Sequence, residues 1–128
     1  MPDGRFDLLV VGGGPGGYAA ALYGASAGLR VALVEMSKVG GTCLHVGCIP
    51  AKHLLETAAA VRHVRSVAEF GVTTGPVGFD ASVASRSRRA VTGKLFEGLS
   101  RLLRGRKVEV LGGRGRLLAS GEGSGGNG

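Results

Sequence analysis

Six residues, Gly12-Gly13-Gly14-Pro15-Gly16-Gly17, constrain this chain more than any others. They follow an apolar run, Phe6-Asp7-Leu8-Leu9-Val10-Val11, that reads as a buried parallel strand. They precede an Ala- and Leu-rich stretch, Tyr18–Gly28, that reads as a helix with a glycine stop. Arg30–Glu35 reads as a second buried strand. Strand, helix and strand within about thirty residues make a βαβ unit, which is right-handed by strong preference. The turn matches G-x-G-x-x-G. Gly12 permits the tight turn, Gly14 lets backbone approach a pyrophosphate, and Gly17 lets helix and strand pack closely. The helix then directs its N-terminal amides and positive dipole end at the phosphates. A bare glycine pattern is weak evidence. Here Ala21 keeps the helix face small, and Glu35 follows Gly17 after seventeen intervening residues, near the spacing that reaches a ribose 2′-hydroxyl. An acid at that point disfavours a 2′-phosphate. The competing reading is a glycine-rich turn with a surface glutamate.

The chain has 128 residues, enough for one domain with a core. It has no apolar run approaching the ~18–20 residues of a membrane span, and its N-terminus is interrupted by Asp3, Arg5 and Asp7. A cytoplasmic protein is expected. The net charge is +7, concentrated in residues 80–116, where ten Lys/Arg face Asp80, Glu97 and Glu109. A basic half can address nucleic acid. Few stacking aromatics and no nucleic-acid motif leave a solvated helix face as the better reading, so neither nucleic acid nor membrane is expected as a partner.

From Ile49 to about Phe70 the pattern is helical, with Leu54, Leu55, Ala58, Val61, Val64, Val67 and Ala68 at three- and four-residue spacings. Gly71–Gly78 is a loop with a possible short strand at Val72. Asp80 is placed to cap the next helix, which is expected to bury Val83, Ala90, Val91, Leu95, Leu99, Leu102 and Leu103. Lys107–Leu111 alternates as a strand with one exposed face. Residues 119–128 read as a flexible Gly-rich tail.

The only two cysteines, Cys43 and Cys48, lie directly behind this cradle. Zinc would need about four ligands, and Cys43, Cys48 and three histidines have no known ligand spacing. A structural disulfide, or two unrelated thiols, remain readings beside a redox-active pair. In a regular helix residues five apart have Cα atoms ~8–9 Å apart, too far for a bridge. The segment must therefore break if the pair is bridged. Gly47 supplies the freedom for that break, and Pro50 suits the first turn of the helix that follows. Cys48 would then sit near a helix N-terminus, where the dipole favours thiolate.

Gly40-Gly41-Thr42-Cys43-Leu44-His45-Val46-Gly47-Cys48-Ile49-Pro50-Ala51-Lys52 resembles the active-site signature of the flavin-dependent pyridine nucleotide–disulfide oxidoreductases. Within them it most resembles the N-terminal FAD-binding part of the dihydrolipoamide dehydrogenases. The resemblance runs from about Phe6 to Leu118 and includes Glu69–Val72, Leu95–Leu99 and Gly113–Leu117.

It implies an α/β fold: a Rossmann-like FAD-binding domain, a parallel sheet with a βαβ start, incomplete as an N-terminal fragment over residues 1–118. It implies FAD as cofactor, contacted by Gly12, Gly13, Gly14, Pro15, Gly16, Gly17, Glu35, Met36, Gly41, Thr42, Cys48, Lys52 and Gly115. Glu35 would take the adenosine ribose, Lys52 would lie near flavin N5, and Gly115 would bring backbone close to the adenine. Cys48 would be the thiol against the flavin and Cys43 the one that exchanges with substrate. His45 stands where many members have Asn. Electrons would pass from a dithiol such as dihydrolipoamide through Cys43/Cys48 and FAD to NAD. NAD is expected only in a full-length parent, because no second G-x-G-x-x-G is present, and a homodimer is expected only there as well, because the family dimerises through a later interface domain. The fragment alone is expected to be inactive. The alternatives are a non-catalytic FAD-binding fragment or interaction module, and, within the family, a mercuric or glutathione/mycothiol-type reductase.

Overall fold

A computed structural model describes residues 5–118. The tail expected over 119–128 lies outside the described residues. Three parallel strands, β1 (Leu8–Val11), β2 (Val31–Glu35) and β3 (Glu109–Gly112), form a sheet in the order β1-β2-β3. Leu8 pairs with Val31, and Ala32 with Glu109. Helix α1 (Pro15–Ser26) connects β1 to β2, so the βαβ unit forms as the spacing predicts.

α1 starts three residues earlier than Tyr18, inside the glycine turn itself. Pro15 occupies its first turn, where its fixed φ suits a helix and its missing N–H leaves no bond unmade. It ends before Gly28, whose φ of 87° turns the chain while Leu29 N–H returns to the Gly24 carbonyl at 3.1 Å.

Helices α2 (Gly41–His45) and α3 (Cys48–Ser66) are separated by Val46 and Gly47. α3 tightens into a 3₁₀ turn at Val67–Phe70 and stops at Gly71, in the left-handed region with φ of 76°. No strand forms at Val72. Helix α4 (Ala81–Gly105) begins at Asp80, whose Oδ1 accepts from the amides of Ser82 at 2.8 Å and Val83 at 3.0 Å. β3 starts two residues after Lys107, because Lys107 (φ 58°) turns the chain and Val108 is consumed by the core.

The core is Ala21, Val31, Leu33, Val39, Leu103 and Val108, with Leu8, Val10, Tyr18, Leu22, Phe96 and Leu99 packed around it. Ala21 is fully buried, as its small size behind the turn required.

Several expected core positions are not core. Val83, Ala90, Val91, Leu95 and Leu102 on α4 are exposed. The apolar positions Leu54, Leu55, Ala58 and Val64 of α3 and Ala68 of the 3₁₀ turn, read from the sequence as a helical pattern, are exposed too. The reason is length. A 25-residue helix spans about 37 Å, whereas strands of four or five residues span about 13–17 Å. Only the C-terminal turns of α4 reach the sheet, the rest packs on α2 and α3, and Leu102 in those last turns lies on the outer face of the helix. β1 is likewise covered on one face only: Leu8 and Val10 meet the core, while Leu9 and Val11 are more than half exposed. All four residues of β3 are exposed. The periodicities identified which residues are apolar, but not which of them have a neighbouring layer.

Candidate functional site

The glycines at the carboxyl end of β1 divide into two kinds. Gly12 (φ 98°) adopts a conformation that favours glycine, and its N–H bonds the Val34 carbonyl at 2.8 Å. Gly17 faces inward, so that a Cβ there would overlap the Gly12 carbonyl oxygen. Gly14 and Gly16 face outward: a Cβ on either would meet nothing within 4 Å. No side chain caps the start of α1 and no acidic residue occupies its first turn, leaving amides and dipole for an anion. The open cradle therefore fits a pyrophosphate, as an FAD dinucleotide carries.

Glu35 ends β2 beside this turn. Its Oε2 accepts from Gly13 N–H at 2.7 Å, and its Oε1 accepts from Ser37 N–H at 2.8 Å. The next residue, Met36, is exposed at the rim. The chain then runs into the cysteine loop. Gly40 N–H donates to the Gly13 carbonyl at 2.7 Å, and the Gly41 backbone lies against Gly14, where a Cβ on Gly41 would be 2.8 Å from the Gly14 Cα. Cradle and cysteine loop are thus bonded to each other, an arrangement for which the spacing gave no sign. The Gly40-Gly41 doublet was the available hint, since both residues have positive φ, at 105° and 57°.

α2 carries Thr42, exposed, and Cys43, half-buried. Cys48 is the first residue of α3 and is exposed. The helical break required between the two thiols is present at Val46-Gly47, where the Gly47 amide bonds the Thr42 carbonyl at 2.7 Å. Both cysteines are free thiols. The neighbouring Cys48 thiol raises the Cys43 pKa above the ordinary thiol value, by hydrogen bonding first, with desolvation and the charge of Cys48 adding to the effect. The Cys48 amide and the nearby Lys52 ammonium act in the opposite direction. Cys48, which heads α3, is the more open of the two thiols.

His45 does not face the thiols. Its Nε2 donates to the Val39 carbonyl at 2.9 Å, and its ring meets Phe96 edge-on at 5.4 Å, with Lys38 Nζ 5.9 Å from the centre of the Phe96 ring. His45 docks α2 onto α4. His53 Nε2 pairs with Ser87 Oγ at 3.0 Å across a groove of about 450 Å³ between α3 and α4, away from the cysteines. Gly115 lies over the sheet, where a Cβ would come 2.7 Å from Val11 Cγ1 and 3.5 Å from Val34 Cγ1. Its smallness is required by these two strand ends.

A family profile described as "Pyridine nucleotide-disulphide oxidoreductase" matches residues 6–127. The chain belongs to the pyridine nucleotide-disulphide oxidoreductases. The match runs past Leu118, where the resemblance drawn from motifs ended. Among curated members of this family, the chain is 43% identical over 114 residues to a dihydrolipoyl dehydrogenase of Bacillus subtilis, covering 89% of this chain and 24% of that protein. It is 47% identical over 112 residues to a dihydrolipoyl dehydrogenase of Thermus scotoductus, covering 88% of this chain and 24% of that protein. It spans about a quarter of the length of these relatives. In fold it is similar to LpdA from Mycobacterium tuberculosis, with a TM-score of 0.78 and 23% identity over 88% of this chain and 25% of that one. That likeness supports a Rossmann-like α/β fold, of which this chain carries the β1-α1-β2 start. The family implies FAD. No helix among the described residues is long and apolar enough to cross a membrane.

Proposed function

We propose that this chain supplies the FAD cradle and the dithiol half of a dihydrolipoamide dehydrogenase-type oxidoreductase of the cytoplasm. One observation carries the reading. Two thiols, Cys43 on α2 and Cys48 at the start of α3, flank the break at Val46-Gly47, and Gly40 ties the start of α2 to a dinucleotide-shaped turn at Gly13. The relatives' names support the choice of a dihydrolipoamide-like dithiol over mercuric ion or a glutathione- or mycothiol-type disulfide.

In this reading the oxidised pair is a Cys43–Cys48 disulfide. A substrate thiolate attacks Cys43 Sγ, a substrate–Cys43 bond forms, and Cys48 leaves as thiolate. The second substrate thiolate then attacks its own partner sulfur and releases Cys43. The substrate dithiol ends as a disulfide, and the protein disulfide ends as two thiols, two electrons richer. FAD, when bound, would supply the acceptor for those electrons. The chain's own residues would hold it: the α1 amides and Gly14 the pyrophosphate, Glu35 and Met36 the adenosine side, and Gly41, Thr42, Cys48 and Lys52 the ring side. Turnover with NAD, and a homodimer, belong to the length that the relatives have beyond this chain.

Titration with FAD tests the reading. The folded chain should quench flavin fluorescence and stay yellow through gel filtration. A folded, colourless protein that leaves flavin fluorescence unchanged would remove FAD from the assignment.

A further inference from the structure

We infer that Glu35 is a positioning residue for the thiol pair, acting through the Gly13 peptide, in addition to any contact it makes with a ribose. The inference rests on Cys43 and Cys48 being a redox pair. Gly13 is held from both sides. Its N–H is bound by Glu35 Oε2 at 2.7 Å, and its carbonyl binds the Gly40 amide at 2.7 Å. The Glu35 stem also packs on it, since a Cβ at Gly13 would be 3.3 Å from Glu35 Cβ and Cγ. The other carboxylate oxygen holds Ser37, on the path to the same loop, at 2.8 Å. The Glu35 carbonyl accepts the Gly113 amide at 3.0 Å, so the residue knits three segments at the carboxyl end of the sheet.

α2 has five residues, too few to persist as a helix without outside contacts. Its place comes from Gly40 on Gly13, Gly41 against Gly14, buried Leu44 and the His45–Val39 bond. Cys48 takes its place from the 19-residue α3, which meets α2 at Val46-Gly47, where the Gly47 amide bonds the Thr42 carbonyl at 2.7 Å. The distance between the two sulfurs therefore depends on this junction and on how α2, at its other end, is registered against the cradle. Glu35 fixes the Gly13 peptide plane on which that register hangs. A charge-assisted bond to an amide is stronger than a neutral one, which makes a carboxylate suited to the task.

The reaction that reads this is exchange with glutathione. Cys43 and Cys48 give two electrons and two protons to glutathione disulfide, yielding one protein disulfide and two glutathione thiols. The chain and its Glu35→Ala, Glu35→Asp and Glu35→Gln variants are equilibrated in buffers of graded glutathione ratio. Each is quenched with an alkylating agent and weighed by mass spectrometry, and circular dichroism reports folding. Loss of a bond to a charged group at the lower end of its usual magnitude predicts an about tenfold shift toward the dithiol in Glu35→Ala. Glu35→Asp, one methylene short of Gly13, should shift in the same direction, and it decides the matter if the alanine variant does not fold. Glu35→Gln keeps an acceptor for Gly13 and should stay near the parent midpoint. A folded Ala or Asp variant with the parent midpoint overturns the inference, as does a Gln variant shifted as far as Ala. A parent chain that forms no Cys43–Cys48 disulfide at any ratio overturns the redox-pair reading as well.

Discussion

Gly17 packs so tightly beneath Gly12 that a side-chain carbon on it would overlap the Gly12 carbonyl oxygen, whereas the same carbon on Gly14 would meet nothing within 4 Å. The two glycines of one motif thus answer to different demands. Gly17→Ala should cost about 1–3 kcal/mol through overpacking, measured by urea unfolding. Gly14→Ala should unfold like the parent and yet lose flavin fluorescence quenching. Equal stability losses in both variants would contradict this division.

Cys43 keeps its proton against Cys48, so its pKa lies above the ordinary thiol value. In the reduced chain, the midpoint of its alkylation rate against pH should lie above that of a simple cysteine. Cys48→Ala removes the first and third causes and should lower the midpoint. A profile that does not move would show that Cys48 is not the cause.

With FAD bound and a dithiol added, the pair should give a long-wavelength thiolate–flavin band. Cys48→Ser should abolish it, while Cys43→Ser should retain it and block exchange. An unchanged band in Cys48→Ser would reverse the assigned roles.

Leu103 is fully buried, whereas its neighbour Leu102 is 47% exposed. Leu103→Ala should cost about 2–5 kcal/mol. Leu102→Ala should cost clearly less, and a comparable loss at both sites would place α4 in a different phase.

Asp80 caps α4, and hydrogen bonds from Ser82 and Val83 lower its pKa. A depressed carboxylate pKa stabilises the fold above the unfolded value and loses that contribution as pH falls through the folded one. Thermal melts from pH 6 down to about 2 should therefore fall less steeply for Asp80→Asn, which caps without titrating, than for the parent. Parallel curves would exclude Asp80 from the acid response.

Much of this was legible along the chain, because local chemistry dictates it. A glycine-rich turn between a β-branched run and an alanine-rich run has few conformations other than a strand–turn–helix. Asp80 ahead of a long helical pattern caps it, its carboxylate accepting from the amides two and three residues on. Gly47 had to break the helix for Cys43 and Cys48 to meet. What only the tertiary structure decided concerns contacts between segments that no spacing records. The Gly13 carbonyl pairs with Gly40, Glu35 grips the turn that precedes it by 22 residues, and His45 turns to Val39 and Phe96 rather than to Cys43. Burial belongs to the same class. Leu102 and Leu103 are the same residue type and adjacent in sequence, and one becomes core because it lies on the face of α4 that the sheet and α1 cover, while the other, about 100° round the helix, faces outward.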